Sequence, residues 1–400
     1  MRPVVRVGVA GLGFASTLTI PALASHPWIK ITAAADPRAE ARERFAREFD
    51  AKAFASVEDL CRRPDVDVVY VSTPNALHAE CAILAAEHGK HVLVEKPLAL
   101  TLEQADAMVA AAQRCGVYLL YGHTHSYDPP IRKLREIVRA GELGRLTMMQ
   151  TWNYTDLLYR PRAAWELDTA TGGGVVYVQA PHQVDMLRWI GGGLVRSVRG
   201  MTGIWDAERP TEGSYTAYLE FVDGTPATMV YNAYAHFDTA ELHYWLGERG
   251  LPRPPETHAR TLAEYRARQA TGGREAADRD ARRYGGAPAP AAPAPPAAAP
   301  TRHQYFFGLL LVSCERSDLR QSPDGLYLYG AEGRQEIPVP LDQTGNERMV
   351  EELYQAVANG RPPTHDGRWG RATLEVCLAI LQSARERREV FLTRQVPTRD

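Results

Sequence analysis

The sequence predicts an α/β fold: a doubly wound parallel sheet, then an α+β domain with a large, mostly antiparallel open sheet. Three observations carry this. Short valine-rich apolar runs alternate with helical patterns up to residue 122, as in βαβ units. The first run ends in Gly11-Leu12-Gly13, a turn that lets backbone approach a phosphate. Beyond Gly122, longer strand candidates follow one another with few helices between them, the texture of an antiparallel sheet.

In order, Val4 to Ala10 reads as a buried strand and Ile29 to Ala35 as a second, ending at Asp36 and followed by a helix over Ala39 to Phe49. Val66 to Val71 is a third strand, stopped by Ser72-Thr73-Pro74, with Asn75 placed to cap a helix running through His88. His91 to Val94 is a strand, Thr101 to Arg114 a helix capped by Thr101, and Val117 to Tyr121 the last strand of this half. Asp128-Pro129-Pro130 opens a helix to Ala140, which Gly141 and Gly144 end. Strands are then expected at Leu146 to Tyr154, Val195 to Trp205, Ser214 to Val222 and Ala227 to Ala235, the last two joined by an Asp223-Gly224 turn. Residues 247–303 read as an insertion: Thr257 to Arg283 is charged and helical in pattern, and 285–301, almost all Ala and Pro, predicts an extended linker. The sheet resumes near Tyr305, with strands at Leu326 to Tyr329 and Gln335 to Val339, and helices over Glu347 to Ala358 and Trp369 to Arg385 close the chain. The expected division is a dinucleotide-binding domain at 1–122 and a substrate and oligomerisation domain at 123–400.

Bulk properties exclude several function classes. A net charge of -2 in 400 residues gives no general attraction to nucleic acid or anionic lipid. The five cysteines are scattered without a C-x-x-C pair, against a disulfide framework or zinc site and in favour of a reducing cytoplasm. No signal-peptide pattern and no membrane-spanning apolar run is present.

The candidate chemistry lies at strand ends. Gly11 and Gly13, with Ser16 where a third glycine is usual, form a dinucleotide turn, and Asp36 ends the second strand where an acid binds ribose hydroxyls. A carboxylate there repels a 2′-phosphate, so NAD is favoured over NADP; Arg38 works the other way. Ser72, Thr73, Pro74 and Asn75 should line the cofactor, together with Phe14, His78, Glu95 and Pro97. Lys96, in Glu95-Lys96-Pro97, follows a strand at the crevice, where partial burial would lower its pKa and Glu95 can hold it by pairing. Gly172-Gly173-Gly174 precedes His182 and Asp185 at a helix start, and His182 is a candidate general acid or base. Taken singly, each feature has a plainer reading: a tight turn, a solvated lysine, a structural histidine.

Together with Tyr127-Asp128-Pro129 and the segment from Asn346 to Leu392, these motifs resemble the glucose-fructose oxidoreductase / inositol dehydrogenase (Gfo/Idh/MocA) family. The resemblance implies a Rossmann domain, an open-sheet α/β domain, a homodimer or homotetramer through the C-terminal sheet, and Lys96 and His182 at the nicotinamide and the reacting carbinol. Two positions depart from the sugar- and inositol-oxidising pattern: Val178 stands where an Asp is usual, four residues before His182, and Ser126 where an Arg is usual. Segments such as Thr151 to Asp156, Tyr159 to Arg162 and Ala235 to Leu242 are similar to phthalate 4,5-cis-dihydrodiol dehydrogenases. That likeness implies a dicarboxylate ring diol oxidised to 4,5-dihydroxyphthalate. Arg160 and Arg162 can then clamp carboxylates, with Tyr154, Gln179, His123, His125, His236 and His243 around them. No metal is expected, because His123 and His125 lack a supporting carboxylate pattern. The alternatives are a sugar or cyclitol dehydrogenase of the same fold and a non-catalytic NAD-binding sensor or assembly protein.

Overall fold

The computed structural model describes residues 2–271, 275–286 and 302–399. Strands β1 (Val5–Ala10), β2 (Ile29–Ala35), β3 (Lys52–Phe54), β4 (Val68–Val71), β5 (His91–Val94) and β6 (Leu119–Tyr121) form one sheet in the order β3-β2-β1-β4-β5-β6. Every pairing in it is parallel. All four residues of β4 are buried, as a strand covered on both faces requires. The edge strand β3 escapes sequence reading because it is short and only half-buried. Strand order reverses between β1 and β4, and the carboxyl ends of those two strands therefore flank a ligand crevice.

Asn75 does not cap the following helix, contrary to expectation. A 3-10 turn over Asn75–Leu77 precedes the helix His78–Glu87. The Asn75 amide instead donates to the Gly172 carbonyl at 2.9 Å, a contact across 97 residues that local pattern cannot reveal. Thr101 does cap its helix, its hydroxyl accepting from the Gln104 amide.

The second sheet is built from β7 (Leu146–Tyr154), β8 (Val195–Gly203), β9 (Ser214–Phe221), β10 (Pro226–Asn232), β11 (Leu309–Cys314), β12 (Asp318–Ser322), β13 (Gly325–Gly330), β14 (Gly333–Pro338) and β15 (Val390–Phe391). Its order is β14-β13-β12-β11-β7-β10-β9-β8-β15, and only the β7/β10 pair is parallel among the described residues. Burial alternates along β9 and β10, so one face packs on helices and the other stays open. Polar β12 and two-residue β15 carry no apolar run and were not expected as strands.

The last helices return to the first sheet. Met349, Val350, Leu353 and Tyr354 of helix Gly345–Asn359 share a core with Val5, Val7 and Ile20. The insertion also bridges the two sheets' layers. Glu275 binds the Arg209 guanidinium at 2.9 and 3.0 Å and the Arg162 amide at 2.7 Å, while Tyr284 donates to Glu48 at 2.6 Å and packs edge-on against Phe45. The expected Ala/Pro linker lies outside the described residues over 287–301. Among the described residues, no helix is long and apolar enough to cross a membrane.

Helix Ala180–Ile190, which carries His182, is buried along its whole length. It is fixed by Arg188, which is fully buried. The Arg188 guanidinium lies 3.8 Å over the Trp369 ring and donates to Gly193, Trp369 and Val396 carbonyls, to Thr373 and to Gln395. Removing it strands these buried acceptors, so Arg188→Ala should cost about 3–5 kcal/mol. The check is the urea midpoint of unfolding, which should fall; an unchanged midpoint would remove Arg188 as the anchor of this helix.

Candidate active site

A cavity of about 1390 Å³ runs from Gly11, Phe14 and Asp36 past Ser72, Thr73, Pro74 and Lys96 to Tyr154 and Arg160. Sites for one drug-sized ligand span roughly 300–1,000 Å³, so there is room here for a dinucleotide and a small substrate together. Gly11 adopts φ +91°, and a Cβ there would lie 2.8 Å from the Ser72 carbonyl and the Thr73 amide. Only glycine therefore allows the turn after β1 to pass the end of β4. Ser16, in the third-glycine position, is fully buried and closes the turn by donating to the Gly13 carbonyl at 2.8 Å. Asp36 accepts from the Leu12 amide at 2.8 Å, and Arg38 folds onto the same carboxylate and onto the Leu12 carbonyl. These residues fit a dinucleotide. His78 lies between the Thr73 and Pro97 carbonyls, its ring nitrogens 3.0 and 2.7 Å from them, and as a neutral ring it donates to one of the two. Pro97 is buried behind Lys96 and does not reach the cavity wall.

Lys96 and His182 line the same cavity, as does Gln179. The Lys96 ammonium donates to the Val178 carbonyl at 2.9 Å, one helical turn before His182. The expected pairing with Glu95 is not what holds it. Glu95 is buried and accepts from the Tyr70 hydroxyl at 2.7 Å; burial pushes its pKa up, against the pull of Tyr70 and the Lys96 charge. Burial pulls the Lys96 amine down, with Glu95, as a charge and not as a bonded partner, resisting. His182 is pushed well below the ordinary histidine value by burial and then by Lys96 and the neighbouring histidines. Its Nδ1 is buried with no hydrogen-bond partner, which leaves Nε2 for the cavity. His182 is thus a neutral imidazole at physiological pH.

The loop at His123 and His125 does have a carboxylate, contrary to the sequence reading. Asp128 accepts from His125 Nδ1 at 2.6 Å. Both histidines line the cavity, and the His125 ring stands edge-on to His182 with centroids 4.9 Å apart. His123 is driven down to about 4, chiefly by burial. No group of three His, Cys, Asp or Glu side chains is arranged to hold a metal ion among the described residues.

Arg160 and Arg162 are not a solvated pair; both line the cavity. Arg160 binds Asp156 at 2.5 and 2.8 Å. Burial would raise the Asp156 carboxyl, but Arg160, Thr261 and Arg253 hold it far below the carboxylate range. Arg162 binds Glu166 at 3.0 Å, and Arg279 from the insertion takes the same carboxylate at 2.8 and 2.9 Å. Burial, only partly offset by Glu166, pushes the Arg162 guanidinium down to about 10. Its Nε is buried without a partner. Tyr154 also lines this end, but His236 is exposed and absent from the wall. The histidine near that segment that does reach the wall is His243, stacked on Phe306 at 4.7 Å. Local pattern could not separate the two, because a 3-10 turn over Thr239–His243 turns the second inward. Sequence reasoning also missed Asp128, Asp156, Glu166 and Arg279; the i,i+4 spacing of Asp156 to Arg160 and of Arg162 to Glu166 was the available signal.

Comparison with known proteins gives a consistent result. Residues 5–123 match the Gfo/Idh/MocA model described as an oxidoreductase family with an NAD-binding Rossmann fold, and residues 131–250 match a Gfo/Idh/MocA C-terminal domain. A 1-carboxy-3-chloro-3,4-dihydroxycyclohexa-1,5-diene dehydrogenase of Comamonas testosteroni is 38% identical over 95% of each chain. A solved structure from Bordetella bronchiseptica RB50, assigned as a dehydrogenase, is 42% identical with a TM-score of 0.89, covering 97% of this chain and 100% of its own. The WlbA dehydrogenase of Bordetella pertussis, in complex with NADH and UDP-GlcNAcA, has a TM-score of 0.69 at 21% identity over 98% of this chain and 99% of its own, a likeness of fold.

Asp36 should discriminate between cofactors. NADH is expected to bind more tightly than NADPH, and Asp36→Ala to weaken NADH about tenfold while narrowing that gap. Fluorescence titration with both reduced cofactors reads this without any substrate; an unaltered NADH Kd would place Asp36 outside the dinucleotide site.

Proposed function

The chain belongs to the Gfo/Idh/MocA family of NAD-binding oxidoreductases, and from that premise we propose that it dehydrogenates a carboxylated cyclohexadiene cis-diol. Phthalate cis-4,5-dihydrodiol, giving 4,5-dihydroxyphthalate, is the leading candidate substrate. One observation carries this reading: the largely buried Arg162 side chain lines the same cavity as Lys96 and His182. Four guanidinium groups there, Arg160, Arg162, Arg253 and Arg279, share three carboxylates, Asp156, Glu166 and Asp238. Such a wall favours an anionic ligand over a neutral sugar. The Comamonas testosteroni relative is named for a substrate that is both a cyclic diol and a carboxylate, which supports the same class.

In this reading the arginine wall orients the substrate by its carboxylate. That fixes one carbinol carbon before Lys96 and His182, so that the reaction is effectively unimolecular. A bound NAD would supply the hydride acceptor at that carbon. Lys96, held by the Val178 carbonyl, contacts the reacting hydroxyl and relays its proton, and neutral His182 hydrogen-bonds the same hydroxyl. The resulting hydroxy-dienone loses its remaining ring proton to solvent, regains one on oxygen and becomes a catechol; aromatisation draws the sequence forward. Val178 presents an apolar side chain and only its carbonyl to the site, so Lys96 is held without a neighbouring carboxylate at that position. The protein is read as cytoplasmic, assembled as a homodimer or homotetramer through the open sheet face that exposes Met148, Trp152, Met201 and Tyr218.

The test is NADH formation with cis-dihydrodiols bearing two, one and no carboxylates, alongside inositol and glucose. Turnover restricted to the carboxylated diols is expected; preferred oxidation of inositol or glucose would overturn the assignment. With the best diol, Lys96→Ala should lower kcat by about 10²–10⁴-fold while NADH still binds. Arg162→Met should raise KM for the carboxylated diol by about 10- to 100-fold, the worth of a charged hydrogen bond. Full turnover in Lys96→Ala would take the amine out of the mechanism.

A further inference from the structure

Three imidazoles, those of His123, His125 and His182, line the cavity beside Lys96, and they are not equivalent. His182 has its Nδ1 buried without a partner. His123 Nε2 lies 3.9 Å from Asp128, too far for a hydrogen bond. Only His125 is bonded to a carboxylate, through Nδ1 to Asp128 at 2.6 Å.

The arrangement is costly and specific. Asp128 occupies the N-cap position of helix Pro129–Ala140, where its side chain would ordinarily accept a helix amide; it accepts none. The carboxylate is turned to His125 instead, and its second oxygen is buried without a partner. Gly345 leaves the space this needs, since a Cβ there would collide with both His123 and Asp128. One aromatic side chain holds the two facing imidazoles: Phe307 lies 4.5 Å from His125 and 4.8 Å from His182, ring centre to ring centre. With Nδ1 committed to Asp128, His125 has Nε2 left to meet a ligand in the cavity.

We propose that His125, backed by Asp128, is a further catalytic residue of this site: as the C–H hydride leaves for the nicotinamide, the diol hydroxyl proton passes to His125 Nε2, the carbinol carbon becomes a carbonyl, and Asp128 stabilises the imidazolium formed. This assignment rests on the cis-diol dehydrogenation proposed above. The electrostatics agree with it. Burial alone would lower His125, but the charge and hydrogen bond of Asp128, helped by Glu248 and opposed by Lys96, raise it above the ordinary value. Neighbouring His182 and His123 are both lowered, and each cation among the three opposes the others. Two adjacent groups whose environments drive their pKa values apart divide acid and base roles. His125 is the better proton acceptor, and His182 stays neutral and hydrogen-bonds the hydroxyl.

The sign for catalysis follows. The base form is needed for oxidation, so kcat should rise with pH through the raised His125 pKa. The experiment uses full-length enzyme with NAD bound and histidine labelled for NMR titration, together with kcat–pH profiles on the cis-dihydrodiol that wild type oxidises fastest. In wild type, His125 should titrate above the reference value of about 6.5. In Asp128→Asn its titration and the acid limb of kcat should move together to lower pH, a displacement that a purely structural role does not produce. His125→Asn should lower kcat by about 10²–10⁴-fold with the NADH Kd unchanged, and His125→Gln serves if the first variant misfolds. A titration unmoved by Asp128→Asn, or wild-type turnover and pH dependence in the His125 variants, overturns the assignment and leaves the diol dehydrogenase standing. Absence of wild-type turnover on every cis-dihydrodiol is the distinct outcome that overturns both.

Discussion

The hydrogen bond from Lys96 Nζ to the Val178 carbonyl, 2.9 Å long, is the contact on which the site depends. It joins the end of β5 in the parallel sheet to the turn that leads into the His182 helix. Two other bonds run beside it: Asn75 to the Gly172 carbonyl, and the Tyr177 hydroxyl to the Leu100 carbonyl, both at 2.9 Å. Together they close the glycine-rich segment over the crevice. Here the glycines are required by crowding: a Cβ on Gly173 would meet the backbone of Trp165 and Glu166 at 2.5–2.6 Å.

Burial then sorts the ionisable groups of the cavity. Lys96, His123 and His182 are pushed toward their neutral forms and Glu95 toward its acid form. His125 and Asp156 escape because each has a partner of opposite charge within hydrogen-bond range. Desolvation acts on every group at the site, so a bonded counter-charge decides which one keeps its charge. The outcome is a wall around Lys96 and His182 that is driven toward neutrality apart from the His125–Asp128 pair, and a charged, arginine-rich wall farther along the same cavity.

The insertion takes part in that second wall. Arg279 shares Glu166 with Arg162 and lies 4.8 Å over the Phe14 ring, in the loop after β1. A segment that reads from sequence as an interruption of the sheet thus touches both the dinucleotide turn and the carboxylate-paired arginines. With Tyr284 bonded to Glu48 and Glu275 to Arg209, it couples the first sheet to the second where a ligand would lie between them.

Much of this was legible in the sequence because it rests on short-range rules. The apolar runs, the Gly11 turn, the acid at Asp36, the lysine after β5 and the Asp223-Gly224 hairpin each follow from the period of one element and the chemistry of its end. What tertiary structure alone decided was the partner of each side chain. Glu95 turned to Tyr70 and not to Lys96, Asn75 to Gly172 and not to its own helix, Asp128 to His125 and not to an N-cap. His243 faced the cavity and His236 the solvent. Periodicity says which face of an element is buried, but a buried polar group takes whichever partner the packing of distant segments brings within 3 Å, and that choice is not written in any local stretch of chain.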